Sequence, residues 1–278
     1  MRIALFGLGI IGSIWARHIA ADGHQLTTWN RSAKPDAPGF TADIGEAADG
    51  AELALIVVAD GPAVREVVER ILPRLAPTAV VAVHATIAVA EVLEIAALVR
   101  AAGRRYLDMP FTGSKPAAEA RHNVFYVGDD DGAFAVAQPV HSRLSQACLP
   151  FGGVGRAMAM KLAMNLCIAG TFQAMAEGLA AAERAGLDAD AFFQAMDRNV
   201  ARSGLVDLKR PKLLARDRSP QFSVKHMHKD LRLVLALAAS HGLALPLTAG
   251  VEAAYAKAEA RGFGDLDFSA LVDVVGSD

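Results

Sequence analysis

What this chain of 278 residues has little of narrows its chemistry first. It carries only two cysteines, Cys148 and Cys167. They form no C-x-x-C pair and have no histidine at ligand spacing, which excludes a disulfide scaffold and a thiolate metal centre; two inert thiols of a reducing compartment are expected, and no metal. Excess charge is nearly absent, since 28 Lys and Arg against 30 Asp and Glu leave −2. No basic block and no Arg/Lys run interleaved with aromatics occurs, so neither nucleic acid nor a membrane surface is expected as a partner. No uncharged apolar run reaches the ~18 residues of a membrane helix. Met1-Arg2 and the apolar stretch after it imitate a signal peptide, but that stretch contains Gly7, Gly9 and Gly12 and lacks a separate cleavage region. A cytoplasmic localisation is expected.

What is there is apolar: 53% of the residues are hydrophobic, and the length suits two ordinary domains. Between Arg156 and Glu183 there is no Pro and there are only two Gly, with Ala, Met and Leu dominant. A helix is the favoured conformation for such residues, and one over 155–185 would run roughly 40 Å. It is apolar on nearly every side, as a helix buried between layers or domains is. Lys161 and Asn165 interrupt that surface at i, i+4, on one face, where an amide can orient an ammonium. A lysine snorkelling from a helix end beside a tolerated core Asn fits the same pattern.

At the other end, Ile3 to Phe6 reads as a short buried strand that runs into Gly7-Leu8-Gly9-Ile10-Ile11-Gly12 and then a helical segment to Ala21. In such a strand-turn-helix the first Gly makes the turn, the second admits a pyrophosphate to the backbone, and the third lets helix pack on strand. His24 to Trp29 supplies the second strand. After it stands Asn30-Arg31-Ser32, where an acid would bind the ribose hydroxyl of NAD; a guanidinium and a hydroxyl suit the 2′-phosphate of NADP instead, although a solvated turn has the same composition. Apolar strands at 52–58, 78–83, 105–107 and 124–127 alternate with helical segments. The fold class predicted is α/β: an N-terminal Rossmann domain (1–154) with a doubly wound, mostly parallel sheet, then the long linking helix and an all-α C-terminal domain (155–278).

Ligands of such sheets lie at the carboxyl ends of strands, which puts Ala59, Asp60, His84 and Thr86 beside the cofactor. His84 could serve as an acid or base, or be an ordinary strand-end histidine with no partner nearby in sequence. The loop Asp108 to Pro116 is rich in turn residues. N–H groups around Gly113, the hydroxyls of Thr112 and Ser114, and Lys115 would make a nest for a small carboxylate, though a structural turn reads alike. After Gly186 no strand pattern occurs, and Pro211, Pro220 and Pro246 punctuate separate helices. His226 and His228 at i, i+2 cannot chelate a metal from one helical face. Lys229 beside Asp230 reads as a solvated pair.

Taken together, the Gly7 to Gly12 motif, Thr86, Asp108 to Gly113, Gly152 to Asn165, Lys229 to Leu231 and Gly262 to Asp267 resemble the β-hydroxyacid dehydrogenases, the group of 3-hydroxyisobutyrate dehydrogenases, tartronate semialdehyde reductases and glyoxylate/succinic semialdehyde reductases. The resemblance implies an oxidoreductase with Lys161 as the catalytic lysine and Asn165 as its partner. It implies Thr112, Gly113 and Ser114 as the substrate anchor, Phe222 and Asp230 toward the substrate, and Thr86 and Lys229 on the cofactor. The Thr112-Gly113-Ser114-Lys115 and Asn30-Arg31-Ser32 versions look most like the NADPH-dependent glyoxylate/succinic semialdehyde reductase branch, which acts on small carboxylate aldehydes. Thr112 stands where Ser is usual, Ala85 where Ser is usual before Thr86, and Arg121-His122 where small residues are commoner. Imine reductases share the architecture but lack the Lys-x-x-x-Asn pair; 6-phosphogluconate dehydrogenases have His where this chain has Met164. An inactive NADP-binding scaffold would be expected to have lost Lys161. An oligomer is expected, since the long helix is apolar on more faces than one chain covers, and the resemblance implies a homodimer or homotetramer.

Overall fold

Strand residues point alternately to opposite faces, and in the first 161 residues both faces are apolar. In the computed structural model, which describes residues 1–276, Ile3 and Leu5 of β1 (Arg2–Phe6) pack with Ile14, Trp15 and Ile19 of α1 (Ile10–Ala21). Ala4 and Phe6 pack on the other face. Continuous apolar strands of this kind belong to sheets covered on both sides. After α1 come β2 (Gln25–Trp29), α2 (Ile44–Ala48), β3 (Leu53–Ile56), α3 (Gly61–Ile71), β4 (Val80–Val83), α4 (Val89–Ala101) and β5 (Arg105–Asp108). These strands are parallel in the order β2-β1-β3-β4-β5, with Ile3 opposite both Leu26 and Leu53. The second face is closed by α2, α3 and α4 through Ile44, Val64, Val68 and Ile95.

Beyond β5 the sheet turns mixed. The two-residue β6 (Phe111–Thr112), the short α5 (Lys115–Glu119) and β7 (Asn123–Gly128) follow; β7 runs antiparallel to β5 and β6. Helix α6 (Phe134–His141) leads to β8 (Ser145–Gly152), parallel to β7. The sequence pattern predicts neither β6 nor β8. The first follows Pro110 and is too short to have a period, and the second contains Pro150 and alternates poorly between buried and exposed.

The chain divides into two compact units, Met1–Lys161 and Leu162–Asp278, and the division falls inside α7 (Arg156–Arg184). Among its described residues the named elements of the second unit are all helical: the rest of α7, then α8 (Ala189–Met196), α9 (Gly204–Leu214), α10 (Val224–Ser240), α11 (Pro246–Ala258), a π segment Glu259–Phe263 and a 3-10 segment Phe268–Asp273. Phe172, Phe193, Met227, Leu231 and Tyr255 form its core. At its centre the buried Lys209 ammonium lies 2.8 Å from Asp267 Oδ1 and 4.2 Å from the Phe268 ring centre. Asp267 Oδ2 accepts from Gln221 N at 2.9 Å and Phe222 N at 3.4 Å. Burial works against the charge on both partners; at Asp267 the Lys209 ammonium together with the hydrogen bonds from Gln221 and Ser269 outweighs it, so its pKa lies below the ordinary value.

The start of α7 is tied to the sheet by one carboxylate. Asp108, fully buried at the end of β5, accepts from Gly155 N at 3.0 Å and Met158 N at 3.1 Å, satisfying donors that a helix N-terminus leaves open. Burial pushes its pKa up to about 7, against the two N–H bonds that hold it down. A raised carboxyl pKa adds stability that is complete below the unfolded value near 4 and is lost as pH rises through 7. Urea unfolding of the wild type should therefore weaken between pH 4 and 8 by on the order of 2–4 kcal/mol from this group. Asp108→Asn, which keeps an acceptor for both N–H groups, should remove that slope and be the more stable protein at pH 8.

Candidate active site

The glycines of the first loop differ in what they face. A Cβ on Gly7, whose φ is +108°, would collide with the Val57 carbonyl, and one on Gly12 with the Gly7 carbonyl. Both are required by the protein's own packing. A Cβ on Gly9 would meet nothing within 4 Å. Nothing inside the unit demands a glycine there, but a pyrophosphate approaching the backbone would, and it would lie at the first-turn N–H groups of Ile10, Ile11 and Gly12. Asn30 fixes this loop: its Oδ1 accepts from Leu8 N at 2.8 Å and its Nδ2 donates to Ser32 O at 2.8 Å. A cleft of about 460 Å³ opens beside it, lined by Gly7, Gly9, Asn30, Arg31, Ser32, Ala59 and Asp60. Arg31 and Ser32 are exposed in it, whereas the Asp60 carboxylate is engaged as the cap of α3, accepting from Ala63 N at 3.0 Å. The residues present thus fit a dinucleotide. Thr86, half-buried, follows β4.

His84 is no free acid or base. Its Nδ1 donates to Met109 O at 2.7 Å, and its Nε2 lies 3.3 Å from Nε2 of His141, whose own Nδ1 donates to Ala137 O at 2.8 Å. Carbonyls only accept, so both protons sit on Nδ1. Burial holds His84 well below its ordinary pKa and His141 down to about 4, leaving both neutral. The partner is 57 residues away in sequence.

In the loop after β5, Thr112 and Gly113 are tied to β7 by the buried Asn123, whose Nδ2 donates to Gly113 O at 3.0 Å. Lys115 is half-exposed on α5, with Nζ 3.9 Å from Glu119. Arg121 turns away from the loop. Its guanidinium grips Asp22 at 2.8 and 3.1 Å, donates to Arg143 O, and holds the Asp22 carboxyl down to about 2. This arginine staples the end of the loop to α1, which explains its departure from small residues.

Lys161, on α7, is 9% exposed. One helical turn on, in the second unit, Asn165 is 2% exposed and its Nδ2 donates to Asp230 Oδ2 at 2.5 Å. Asp230 Oδ1 is 2.9 Å from the Lys229 ammonium. Asp230 is buried and Lys229 mostly so, which corrects the expectation of a solvated pair. Phe222, half-buried, has its ring 5.8 Å from that of His226, and its N–H and C=O are held by Asp267 and Phe268 N. His228 is spent between Glu252 and Glu259. Sequence reasoning missed Asn123, Asp108 as a helix cap and His141; each acts through a partner distant in sequence.

Residues 2–153 match the family described as the NAD binding domain of 6-phosphogluconate dehydrogenase, and residues 155–275 match the one described as NAD-binding of NADP-dependent 3-hydroxyisobutyrate dehydrogenase. The chain belongs to the 3-hydroxyisobutyrate dehydrogenase-like β-hydroxyacid dehydrogenases. Among these dehydrogenases, glyoxylate/succinic semialdehyde reductase 1 of Arabidopsis thaliana is 27% identical over 99% of this chain and 98% of its own length. The structure of Mycobacterium tuberculosis 3-hydroxyisobutyrate dehydrogenase with L-serine superposes with a TM-score of 0.89, 27% identical over the whole of both chains. An imine reductase from Pseudomonas sp. shares the fold at 23% identity and a TM-score of 0.63. As a β-hydroxyacid dehydrogenase the chain is an NAD(P)-dependent oxidoreductase. No helix among the described residues is long and apolar enough to cross a membrane.

The contrast among the glycines is testable. Gly9→Ala should unfold within about 0.5 kcal/mol of the wild type yet bind the nicotinamide cofactor at least about tenfold more weakly. Gly12→Ala should lose several times that stability. Calorimetry and a fluorescence titration of both proteins check this, and a Gly9→Ala protein with unchanged affinity would remove Gly9 from the cofactor site.

Proposed function

We propose that this protein reduces a small aldehyde bearing a carboxylate to the corresponding hydroxy acid with NADPH, Lys161 supplying the proton. The observation that carries the reading is the polar chain on and beside α7: a buried lysine, an asparagine one turn on, and Asp230 holding that asparagine's amide. An asparagine four residues on from a lysine lies on the same face of a helix, where its amide can orient an ammonium. When bound, the dinucleotide supplies the hydride. Lys161 then passes a proton to the carbonyl oxygen as charge develops there, and its ammonium stabilises that charge before transfer.

The Gly7 to Gly12 loop and the start of α1 would take the pyrophosphate, and Ala59, Asp60 and Thr86 would line the rest of the cofactor; a contact from Lys229 rests on the family resemblance alone. Arg31 and Ser32, exposed in the cleft, offer a guanidinium and a hydroxyl to a 2′-phosphate, with no acid between Trp29 and Ala33 to repel it. Thr112, Gly113 and Ser114 would anchor the substrate carboxylate; Phe222 and Asp230 are assigned to the substrate by the family resemblance alone. The names of its relatives, a glyoxylate/succinic semialdehyde reductase and a 3-hydroxyisobutyrate dehydrogenase, support this class of substrate.

Two measurements test it. Lys161→Ala should lower kcat on glyoxylate or succinic semialdehyde by roughly 10²–10⁴ while leaving NADPH affinity intact; wild-type turnover in that variant would remove the lysine from the chemistry. NADPH should bind at least about tenfold more tightly than NADH, with Arg31→Ala abolishing the difference, because one charge-assisted bond contributes about 1.5–3 kcal/mol. Equal dissociation constants in the wild type would refute the NADP assignment and leave the proton donor untouched.

A further inference from the structure

The substrate loop is held from beneath by one side chain whose role in anion binding nothing above assigns. Asn123, at the start of β7, is wholly buried. Its Oδ1 accepts from the indole N–H of Trp15 at 3.0 Å, and its Nδ2 donates to Gly113 O at 3.0 Å and toward Thr112 O at 3.4 Å. The orientation of this amide has one solution, because an indole only donates and carbonyls only accept. A peptide is planar and trans, so a carbonyl and the N–H that follows it point in opposite directions. Drawing the Thr112 and Gly113 carbonyls toward Asn123 therefore aims the N–H groups of Gly113 and Ser114 away from it. Gly113, at φ +104°, permits the turn, and a Cβ there would press on Asn123 Nδ2 and the Ala117 methyl.

We propose that Asn123 is a positioning residue for carboxylate recognition: by pinning two carbonyls it orients the Gly113 and Ser114 N–H donors as a pair suited to a carboxylate. Trp15 ties this to α1, the helix of the dinucleotide loop, since its indole both holds Asn123 and packs edge-on against His84, which fixes the Met109 carbonyl at the loop's other end. The inference rests on the reading that the substrate carries a carboxylate.

The test compares kcat/KM with NADPH for glyoxylate and succinic semialdehyde against neutral aldehydes of the same length, in the wild type, Asn123→Ala and Asn123→Asp. Asn123→Asp keeps the acceptor for Trp15 but turns a second oxygen on the Gly113 carbonyl. In both variants the acid-to-neutral ratio should fall about ten- to a hundredfold, through KM, with kcat and the NADPH dissociation constant changed by no more than about twofold. Should neither variant fold, Trp15→Phe, which keeps a ring but releases Asn123, should lower the same ratio by a smaller factor. If the wild type prefers acids and the variants keep that preference, or lose acid, neutral and cofactor affinity alike, the positioning role is wrong and the proposed function stands. If the wild type shows no preference for acids, the carboxylate reading fails and this inference falls with it.

Discussion

Two N–H groups at the beginning of the long helix converge on the Asp108 carboxylate, and the placement of Lys161 depends on that junction. Met158 donates to Asp108, and Lys161 stands three residues further along the same helix. Asp108 is also the last residue of β5, from which the loop to Thr112 departs. Lys161 and that loop are thereby set out from one point on the carboxyl edge of the sheet, where ligands of doubly wound folds lie. Gly128 takes part: a Cβ there would approach both the Asp108 carboxylate and the Ala157 methyl. The buried carboxyl is the cost of this junction, and its raised pKa measures how weakly its surroundings solvate the charge.

Much of this architecture was legible in the sequence because the signals were local. The glycine spacing, the apolar strands and the Pro-free run to Glu183 each act within a few residues, and the structure has the corresponding elements. β6 and β8 were not legible, since a two-residue strand after a proline and a strand containing Pro150 carry no period. Lys161 and Asn165 stood out as polar residues at helical spacing on an apolar surface, but that Asn165 gives its amide to Asp230 needs α10 brought against α7. Asn123 sat in plain view as the polar first residue of a strand. Its meaning depends on Trp15 and Gly113, which lie 108 and 10 residues away.

The same distinction explains the departures from the family pattern. Arg121, in the left-handed region at φ 59°, stands where small residues are commoner, and its partners are Asp22 and two backbone carbonyls near α1. A charge in a loop can serve the loop's own shape as readily as a ligand, and only its partners tell the two apart. Lys115 and His228 are the parallel cases, one paired with Glu119 and the other held between two glutamates.

The Lys209–Asp267 pair has an evolutionary side. Removing either partner strands an opposite charge in an apolar interior, at about 3–5 kcal/mol, whereas replacing both with apolar residues of like volume can be neutral. Asp267 also carries the backbone of Gln221 and Phe222, so a lineage that drops the ion pair must find another support for the Phe222 turn in the same step. Change at positions 209 and 267 is therefore best tolerated as a joint move, and the turn bearing Phe222 is sheltered by a constraint internal to this core.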